Sequence, residues 1–532
     1  MPDLTLQNIK PRKYQQEIFN VCKTKNCLVV LPTGIGKTLI ALMLSIHTQK
    51  QHPATKTLFL APTRPLAQQH LDYFKKYLPE LFAELTLFTG QVNSSQRKKL
   101  WQNSDIIFST PQCIANDIKK NLYNLNEVSL LIEDECHRCL KNYAYTHVVK
   151  AYKQQSQYPK ILGLTASPGA DQKTISQIAN NLEIEAIEIR TRESEDVKEY
   201  LQELKFDIIE LDFPKEFQEI KDLLKRIYDK KISELRNRKI LFNIPMKKQL
   251  LETQARLIKN LSTGSKNFNI MAGVSACAQA IKLQHAIELL ETQTLYSYYE
   301  YIQDIFEQAK QKKSKAVQQI IKQPEFNQAY IKLQSLLAKK QEHPKLEETK
   351  KIIQSSINQN PKSKTIIFSQ YRSTVTRICK ELNTIPNIKA KVFIGQTKKI
   401  NKKGIEEGLT QKEQANIINQ FKSGEINCLC ATSIGEEGLD IPEVNAVIFY
   451  EPIPSAIRKI QRAGRTARLM PGQLIILITK NTRDQAYYWA SFHKEKKMYS
   501  ALEKIKSNLD NKNNNQKLVE KTQIKKVQKT LF

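Results

Sequence analysis

The residues best suited to chemistry in this chain lie in a Gly-Lys-Thr turn near its N-terminus. Apolar runs precede and follow this turn, which predicts a buried strand, a glycine turn and a buried helix. In such a turn the backbone amides and the helix N-terminus bind phosphate, the lysine reaches the β and γ phosphates, and the threonine hydroxyl ligates Mg²⁺. We predict a nucleotide and Mg²⁺ site that comprises Leu31, Pro32, Thr33, Gly34, Ile35, Gly36, Lys37 and Thr38.

Leu31 departs from the usual phosphate loop, because the strict eight-residue pattern begins with glycine. A strand-to-helix turn that binds no nucleotide is therefore the alternative interpretation of this turn taken alone. A pair of acids favours the nucleotide, since Asp134 and Glu135 follow the apolar run 130–132. Beside a phosphate loop, Asp134 would hold Mg²⁺ and Glu135 would orient and deprotonate the attacking water.

Arginines near the other end of the chain supply the positive charge that phosphate cleavage needs. The run from Gln461 to Arg468 holds three arginines around Gly464, and the guanidinium group is a permanently charged fork that matches phosphate. Arginines on a second domain act only when the cleft between the domains closes. A basic helix face is the alternative interpretation. The hydroxyls of Thr165 and Ser167, at the end of another apolar run, are suited to relaying changes at the γ-phosphate.

The secondary-structure elements around these residues must bring them to one edge of a sheet. Short apolar runs alternate with helical stretches in two parts of the chain, which is typical of α/β domains with parallel sheets, and ligands of such sheets bind at the carboxyl ends of the strands. Between about residues 216 and 341 the apolar residues recur at helical spacing, which predicts an all-helical insert. We place the strands at residues 27–31, 57–61, 85–88, 105–109, 129–132, 161–164, 365–368, 390–394, 426–431, 446–450 and 474–478.

Composition limits the classes of function. The 532 residues suffice for three or four domains, and the net charge of +30 predicts a polyanionic partner, with nucleic acid favoured over a membrane surface. Solvated surface lysines are the alternative explanation of that charge. The nine scattered cysteines argue against a zinc or iron-sulfur site. No apolar run approaches the roughly 20 residues that a bilayer needs, so we expect a cytoplasmic protein without membrane contact.

Ten short motifs occur in an order that resembles the motif set of superfamily 2 helicases. They are Pro11 to Gln15, Pro32 to Thr38, Ala61 to Leu66, Thr89-Gly90, Thr110 to Gln112, Asp134 to His137, Thr165 to Ser167, Ile366 to Gln370, Ala431 to Pro442 and Gln461 to Arg468. Four longer passages, at residues 142–145, 283–293, 450–458 and 482–489, resemble the helicase part of the Hef family, the archaeal relatives of the Fanconi anaemia M-type fork helicases.

This resemblance implies two RecA-like domains that share ATP and Mg²⁺, single-stranded DNA across both domains, and an insert that grips branched duplex. It divides the chain into residues 1–205, the insert 206–345, residues 346–498 and a basic polar tail, largely mobile, at 499–532. At the ATP site it implies that Gln15 reads adenine, Asp440 contacts the ribose, Arg465 and Arg468 act as arginine fingers, and His137 and Gln461 couple the domains. It implies DNA contacts at Arg64, Gly90, Thr110, Gln370 and Thr432.

The predicted function is ATP-driven unwinding of, or translocation on, forked or branched DNA in replication-fork repair. A duplex-RNA-dependent ATPase is one alternative, because helicases of innate-immune RNA sensors share the Asp-Glu-Cys-His motif and a helical insert. A replication-fork scaffold is the other, since Gln528, Leu531 and Phe532 resemble a sliding-clamp-binding peptide. Full-length Hef proteins also carry a nuclease, whose acidic cluster is missing after Lys494, so we expect any incision to come from a separate polypeptide.

Overall fold

The structure, a computed structural model, describes residues 6, 9–78, 82–169, 171–242, 245–263, 267–396, 399–400, 406–435, 441–467 and 470–530. For residues 399–400, 406–407 and 512–530 it describes the backbone alone. The predicted site residues Asp440 and Arg468 lie outside this description, as do Leu531 and Phe532 and the side chain of Gln528.

The first part of the chain forms an α/β domain around one parallel sheet. Its elements are α1 (Lys13–Cys22), β1 (Cys27–Val30), α2 (Lys37–Gln51), β2 (Lys56–Leu60), α3 (Arg64–Tyr77), β3 (Leu85–Phe88), α4 (Ser94–Asn103), β4 (Ile106–Ser109), α5 (Pro111–Lys119), β5 (Val128–Asp134), a 3-10 helix (Cys136–Arg138), α6 (Ala144–Gln155), β6 (Ile161–Thr165), α7 (Gln172–Asn181), β7 (Ala186–Ile189) and α8 (Glu195–Lys198). In the described residues the strands pair in the order β3-β4-β2-β5-β6-β1-β7. Strands β1, β2, β4 and β5 are buried throughout, as expected when helices cover both faces of a parallel sheet.

A strand and a helical bundle follow. They are β8 (Leu204–Leu211), α9 (Lys215–Asn237), α10 (Lys247–Ser262), α11 (Phe268–Thr292), α12 (Leu295–Lys310), α13 (Lys315–Ile321) and α14 (Pro324–Ala338). The predicted helical insert is thus confirmed, and its core forms where α9 packs against α11 and α14. Of the helices in the described part of the chain, none combines the length and the apolar character that crossing a membrane requires.

The last part forms a second α/β domain. Its elements are α15 (Pro344–Gln359), β9 (Thr365–Phe368), α16 (Arg372–Leu382), β10 (Ala390–Phe393), β11 (Lys399–Ile400), β12 (Glu406–Glu407), α17 (Gln411–Ser423), β13 (Cys428–Ala431), a 3-10 helix (Ser433–Gly435), β14 (Ala446–Phe449), α18 (Ala456–Ala463), β15 (Gly472–Thr479) and α19 (Arg483–Thr530). Its parallel sheet has the order β10-β13-β9-β14-β15-β8 over the described residues. The predicted fold class, two parallel-sheet α/β domains with a helical insert between them, is confirmed.

Strand β8 shows where the predicted organisation differs from the structure. It pairs in parallel with β15 and so belongs to the second sheet, whereas the sequence pattern assigned its residues to the first domain and the insert. The predicted boundary between residues 205 and 206 falls inside this strand. The search for apolar runs did not identify this strand, because it lies at the edge of the sheet. There charged residues are interspersed with half-exposed apolar ones such as Phe206 and Ile208.

Helix α19 replaces the first part of the predicted mobile tail. It runs without interruption from Arg483 through residue 499, where that tail was placed. Met498, Ala501, Leu502 and Ile505 are buried in the core of the first domain. These four residues are spaced three and four positions apart, so they lie on one face of the helix. The lysines around them make the composition of this segment look polar, and composition alone therefore does not reveal the apolar face.

A buried polar cluster attaches the insert to the second domain. Lys345 of α15 forms an ion pair with Asp484 of α19, and neither side chain is exposed. Lys345 also donates to the carbonyl of Thr292 at the end of α11 over 3.1 Å. Nearby, Nε of Arg483 lies 3.5 Å from Glu291 of α11. We call these five residues the junction, and they draw on two of the passages that resemble the Hef family.

The Lys345 and Asp484 pair predicts a large asymmetry between single and double substitutions. Lys345→Met leaves Asp484 buried without its cation, so we expect a loss of about 3–5 kcal/mol of stability in urea unfolding. Lys345→Met with Asp484→Leu should recover most of that loss, because no uncompensated charge is then buried. Lys248→Ala is the control, since Lys248 pairs with Glu252 in solvent and should cost less than about 1 kcal/mol. Equal effects of the Lys345 and Lys248 changes would contradict this account.

Candidate ATP site and nucleic-acid surface

Two left-handed glycines shape the phosphate loop between β1 and α2. Gly34 and Gly36 have φ of 88° and 90°, values that residues with side chains rarely adopt. A Cβ at Gly36 would also lie 2.2 Å from Nε2 of Gln15. That nitrogen donates to the carbonyl of Ile35 over 3.2 Å. The predicted adenine residue Gln15 therefore lies against the phosphate loop.

Leu31, which stands where the usual pattern has glycine, continues the buried strand into the loop. Leu31 is buried, and its amide donates to the carbonyl of Thr165 on the neighbouring strand over 3.1 Å. Nζ of Lys37 donates to the carbonyls of Leu31 and Pro32 over 3.0 and 3.4 Å. The lysine ammonium group thus lies within the curve of the loop, where it would meet phosphate oxygens.

The two predicted Mg²⁺ ligands share a histidine. Nε2 of His70 lies 2.9 Å from Oδ2 of Asp134, and Nδ1 of His70 lies 3.4 Å from Oγ1 of Thr38. Burial raises the pKa of Asp134, but the hydrogen bond with His70 and the positive charge of Lys37 outweigh it and lower that pKa. Asp134 is therefore ionised at neutral pH, as binding of Mg²⁺ requires.

Glu133, the third acid of this run, does not join the site. Side chains alternate along a strand, so Glu133 and Asp134 point to opposite faces of the sheet. Glu133 is fully buried, and burial raises its pKa to about 8. At neutral pH it is mostly uncharged and does not compete with Asp134 for a cation.

Glu135 begins a chain of polar contacts within the first domain. Its φ of 51° is left-handed, a conformation that is uncommon outside glycine and concentrates at functional sites. Oε2 of Glu135 lies 3.2 Å from Nδ1 of His137, and the same nitrogen lies 3.3 Å from Oγ1 of Thr165. The Thr165 hydroxyl also accepts a hydrogen bond from the amide of Ser167 over 3.1 Å. The structure thus brings the predicted water-activating residue and the predicted coupling residues of this domain together.

The second domain meets the phosphate loop at Gly464. A Cβ at Gly464 would lie 2.1 Å from Oγ1 of Thr33, so the glycine backbone lies directly on the threonine side chain. Gln461 of α18 and Arg465, in the turn after α18, are both buried. Arg465 is therefore one residue away from a contact with the loop that carries Lys37.

Arg462, the first of the three predicted arginines, has a different place. It is fully buried, and its guanidinium carbon lies 4.7 Å from the ring centre of Phe368 and 5.6 Å from that of Phe449. Burial raises the pKa of the nearby Glu451 to about 7, against the opposing charge of Arg462. Glu451 accepts a hydrogen bond from the amide of Gln370 over 2.6 Å. Arg462 thus belongs to the core beneath a predicted strand contact.

The predicted nucleic-acid contacts lie at the carboxyl ends of neighbouring strands. Gly90, Thr110 and Arg64 follow β3, β4 and β2, which occupy one side of the first sheet, while the nucleotide residues follow β5, β6 and β1 on the other side. In the second sheet Gln370 follows β9 and Thr432 follows its neighbour β13. Gly90 and Gln370 are exposed, whereas Thr432 is buried.

The donor groups of this site fit a nucleotide with Mg²⁺. Thr38 and Asp134 offer a hydroxyl and an ionised carboxylate, the hard oxygen ligands that Mg²⁺ prefers. The hydroxyls of Thr33 and Ser167 are buried without a hydrogen-bond partner among the residues that the structure describes. When bound, ATP with Mg²⁺ would supply the phosphoryl group that water attacks.

Three protein-family models match successive parts of the chain. The DEAD/DEAH box helicase model matches residues 12–175, and the helicase conserved C-terminal domain model matches residues 344–470. Between them, residues 216–342 match a model described as a putative ATP-dependent RNA helicase, helical bundle. Each match falls on one of the three structural parts.

The crystal structure of the Pyrococcus furiosus Hef helicase domain is 40% identical to this chain, with a TM-score of 0.69, and the match covers 90% of this chain and 98% of that one. The chain belongs to the Hef and Fanconi anaemia M-type family of superfamily 2 helicases. This helicase is also 37% identical to a putative ATP-dependent RNA helicase of Methanocaldococcus jannaschii and 31% identical to the Fanconi anemia group M protein homolog of Mus musculus. These matches cover 95% and 93% of this helicase but 62% and 26% of those proteins.

Sequence reasoning missed two residues of the site in this helicase. His70 showed no spacing typical of a metal ligand, because it contacts the predicted Mg²⁺ ligands Thr38 and Asp134 through tertiary structure. Tyr14 donates its hydroxyl to the carbonyl of Ile35 in the phosphate loop. Its place directly before Gln15 in an N-terminal motif was the available signal.

The close approach at Gly464 predicts a specific effect on domain closure. Gly464→Ala places a methyl group against Thr33, so we expect nucleic-acid-stimulated ATP turnover to fall about tenfold or more, or about 1.4 kcal/mol. Adding Thr33→Gly removes the opposing atoms and should restore part of the closure, measured as fluorescence transfer between the domains. Gly395→Ala is the control, because a Cβ there would have its nearest neighbour at 3.8 Å. Full turnover in Gly464→Ala would show that closure does not use this contact.

Proposed function

We propose that this helicase uses ATP to move along, and unwind, DNA at forks or other branches. The observation that carries the proposal is the arrangement at the strand ends. The residues predicted to bind nucleotide and those predicted to contact the strand lie side by side on the same carboxyl edge of the first sheet, and the second domain meets that edge at Gly464. A conformational change at the nucleotide site would therefore need to cross only a short distance to affect the bound strand.

The proposed cycle assigns each residue a task. Lys37 would bind the phosphates, Thr38 and Asp134 would hold Mg²⁺, and Glu135 would take a proton from the attacking water. Arg465, with Arg468, would stabilise the charge that develops when the domains are closed. Because strand contacts lie on both domains, each closure and reopening would shift the grip along the strand.

The insert supports the choice of a branched substrate. The junction attaches it to the second domain, so it would move with that domain during each cycle. Its far end presents Phe242 and Phe268 with about four fifths of their surface exposed, and helix α10 beside it carries an excess of basic residues. Aromatic side chains among cations suit contact with unpaired bases and phosphates.

The names of two matches favour RNA as a second candidate substrate. The helical bundle model and the Methanocaldococcus jannaschii relative are both described as putative ATP-dependent RNA helicases. Two other relatives, from Neurospora crassa and Schizosaccharomyces pombe, are described as ATP-dependent DNA helicases and support DNA. We also retain as proposals a sliding-clamp contact through Gln528, Leu531 and Phe532, and a nuclease on a separate polypeptide.

The proposed ATP site predicts that two substitutions will impair different steps, nucleotide binding and hydrolysis. Lys37→Ala should lose both nucleotide binding and hydrolysis. Glu135→Gln should keep binding but lose roughly 10²- to 10⁴-fold in turnover, since it removes the proton acceptor alone. Binding is measured with a fluorescent ATP analogue and turnover as phosphate release with forked DNA present. Glu127→Gln, a change on an exposed side chain, is the control. Substantial turnover in Glu135→Gln would refute the assigned base.

The proposed substrate predicts the order in which four nucleic acids stimulate ATP turnover and are unwound. With matched sequences, forked DNA and four-way junctions should stimulate ATP turnover and be unwound, linear duplex DNA should respond weakly, and duplex RNA should respond least. Lys37→Ala is the control that separates unwinding by ATP from passive strand melting. Stimulation by duplex RNA above that by forked DNA would favour the second candidate.

A further inference from the structure

His70 connects a predicted DNA contact to the predicted Mg²⁺ ligands. It is buried on α3 with 8% of its surface exposed, between Thr38 at 3.4 Å and Asp134 at 2.9 Å. Its ring packs on Phe59 of β2 with the ring centres 4.4 Å apart. The imidazole is therefore held by packing on one side and by two polar contacts on the other.

The chemistry of these contacts leaves the metal-binding oxygens available. With Nε2 protonated, His70 donates to Oδ2 of Asp134 and accepts the hydroxyl proton of Thr38 at Nδ1. A Thr38 hydroxyl that donates to a nitrogen keeps its oxygen lone pairs for a cation. Asp134 likewise keeps Oδ1. His70 would thus orient both ligands without occupying their free positions.

Helix α3 links His70 to the predicted strand contact Arg64. The helix begins at Arg64, the predicted strand contact, and is capped by Thr63, whose side chain accepts from the amide of Leu66. His70 follows six residues later on the same helix, about 9 Å along its axis. Because α3 is capped and packed, a displacement of its first turn by a strand bound at Arg64 would be carried along the helix to His70 and from there to Thr38 and Asp134.

We propose that His70 is a positioning residue through which a DNA strand held at Arg64 orients Thr38 and Asp134 for Mg²⁺. This inference rests on the proposed function, because it needs DNA at Arg64. It gives the motif from Ala61 to Leu66 a direct role in the stimulation of ATP turnover by DNA.

Two substitutions separate positioning from packing. His70→Phe keeps the ring against Phe59 but removes both polar contacts. His70→Gln loses the ring but retains an amide that can donate to Asp134. If His70 only fills space, the phenylalanine variant is the milder change. If it positions the ligands, the glutamine variant is the milder change.

The experiment measures Mn²⁺ binding by electron paramagnetic resonance, with ADP present, with and without single-stranded DNA. In the unchanged protein we expect DNA to tighten Mn²⁺ binding. In His70→Phe the gain should disappear and affinity should fall about tenfold, whereas His70→Gln should retain part of the gain. DNA stimulation of ATP turnover should follow the same order. His47→Phe, a change of a half-buried histidine on α2 outside the site, is the control.

The outcomes distinguish this inference from the proposed function. A DNA response of normal size in His70→Phe, with a smaller one in His70→Gln, would overturn the role of His70 and leave the proposed function standing. Absence of any DNA response in the unchanged protein, in both Mn²⁺ binding and ATP turnover, would overturn the proposed function and the inference with it.

Discussion

The contact between Gly464 and Thr33 is the constraint on which the two-domain arrangement depends. It joins the turn after α18 to the phosphate loop, and it exists only because position 464 carries no side chain. On one side the loop is held in its curve by Gly36 and Gln15, and on the other α18 carries Gln461 and leads to Arg465. Each part would be an ordinary feature of its own domain. Their direct contact brings the predicted nucleotide residues of the first domain next to the segment of the second domain that carries the predicted arginine finger Arg465.

The fold followed from the sequence wherever local pattern and burial agree. Strands β1, β3 and β9 are buried or end at a motif, and their apolar runs identified them to within a residue. Strand β8 was missed because its partner β15 lies more than 250 residues away and its own pattern is that of a half-exposed edge. The part of helix α19 beyond residue 498 was missed for a related reason, since its buried residues pack on the first domain, which is distant in the sequence.

The residues of the site show the same contrast between signals that are local in the sequence and contacts that form only in the tertiary structure. The lysine, the threonine and the two acids stand in motifs whose spacing carries the chemistry. The surroundings of His70 and Arg462 are instead assembled from several strands and helices. The motif holds three arginines, and the resemblance to superfamily 2 helicases assigned the finger role to Arg465 and Arg468 alone. The structure packs the third, Arg462, on Phe368 and Phe449. Residue type alone could not make that distinction.

Helix α19 has a consequence for how the domains can move. The polypeptide crosses between the domains twice, once through the segment between β7 and β8 and once along α19, whose Lys459 contact at Glu495 lies on the second domain while Met498 lies in the core of the first. Two bodies tethered at two separate points lose most of their relative freedom and retain mainly rotation about the line that joins the tethers. We therefore expect the cleft to open mainly by rotation about the line that joins these two crossings.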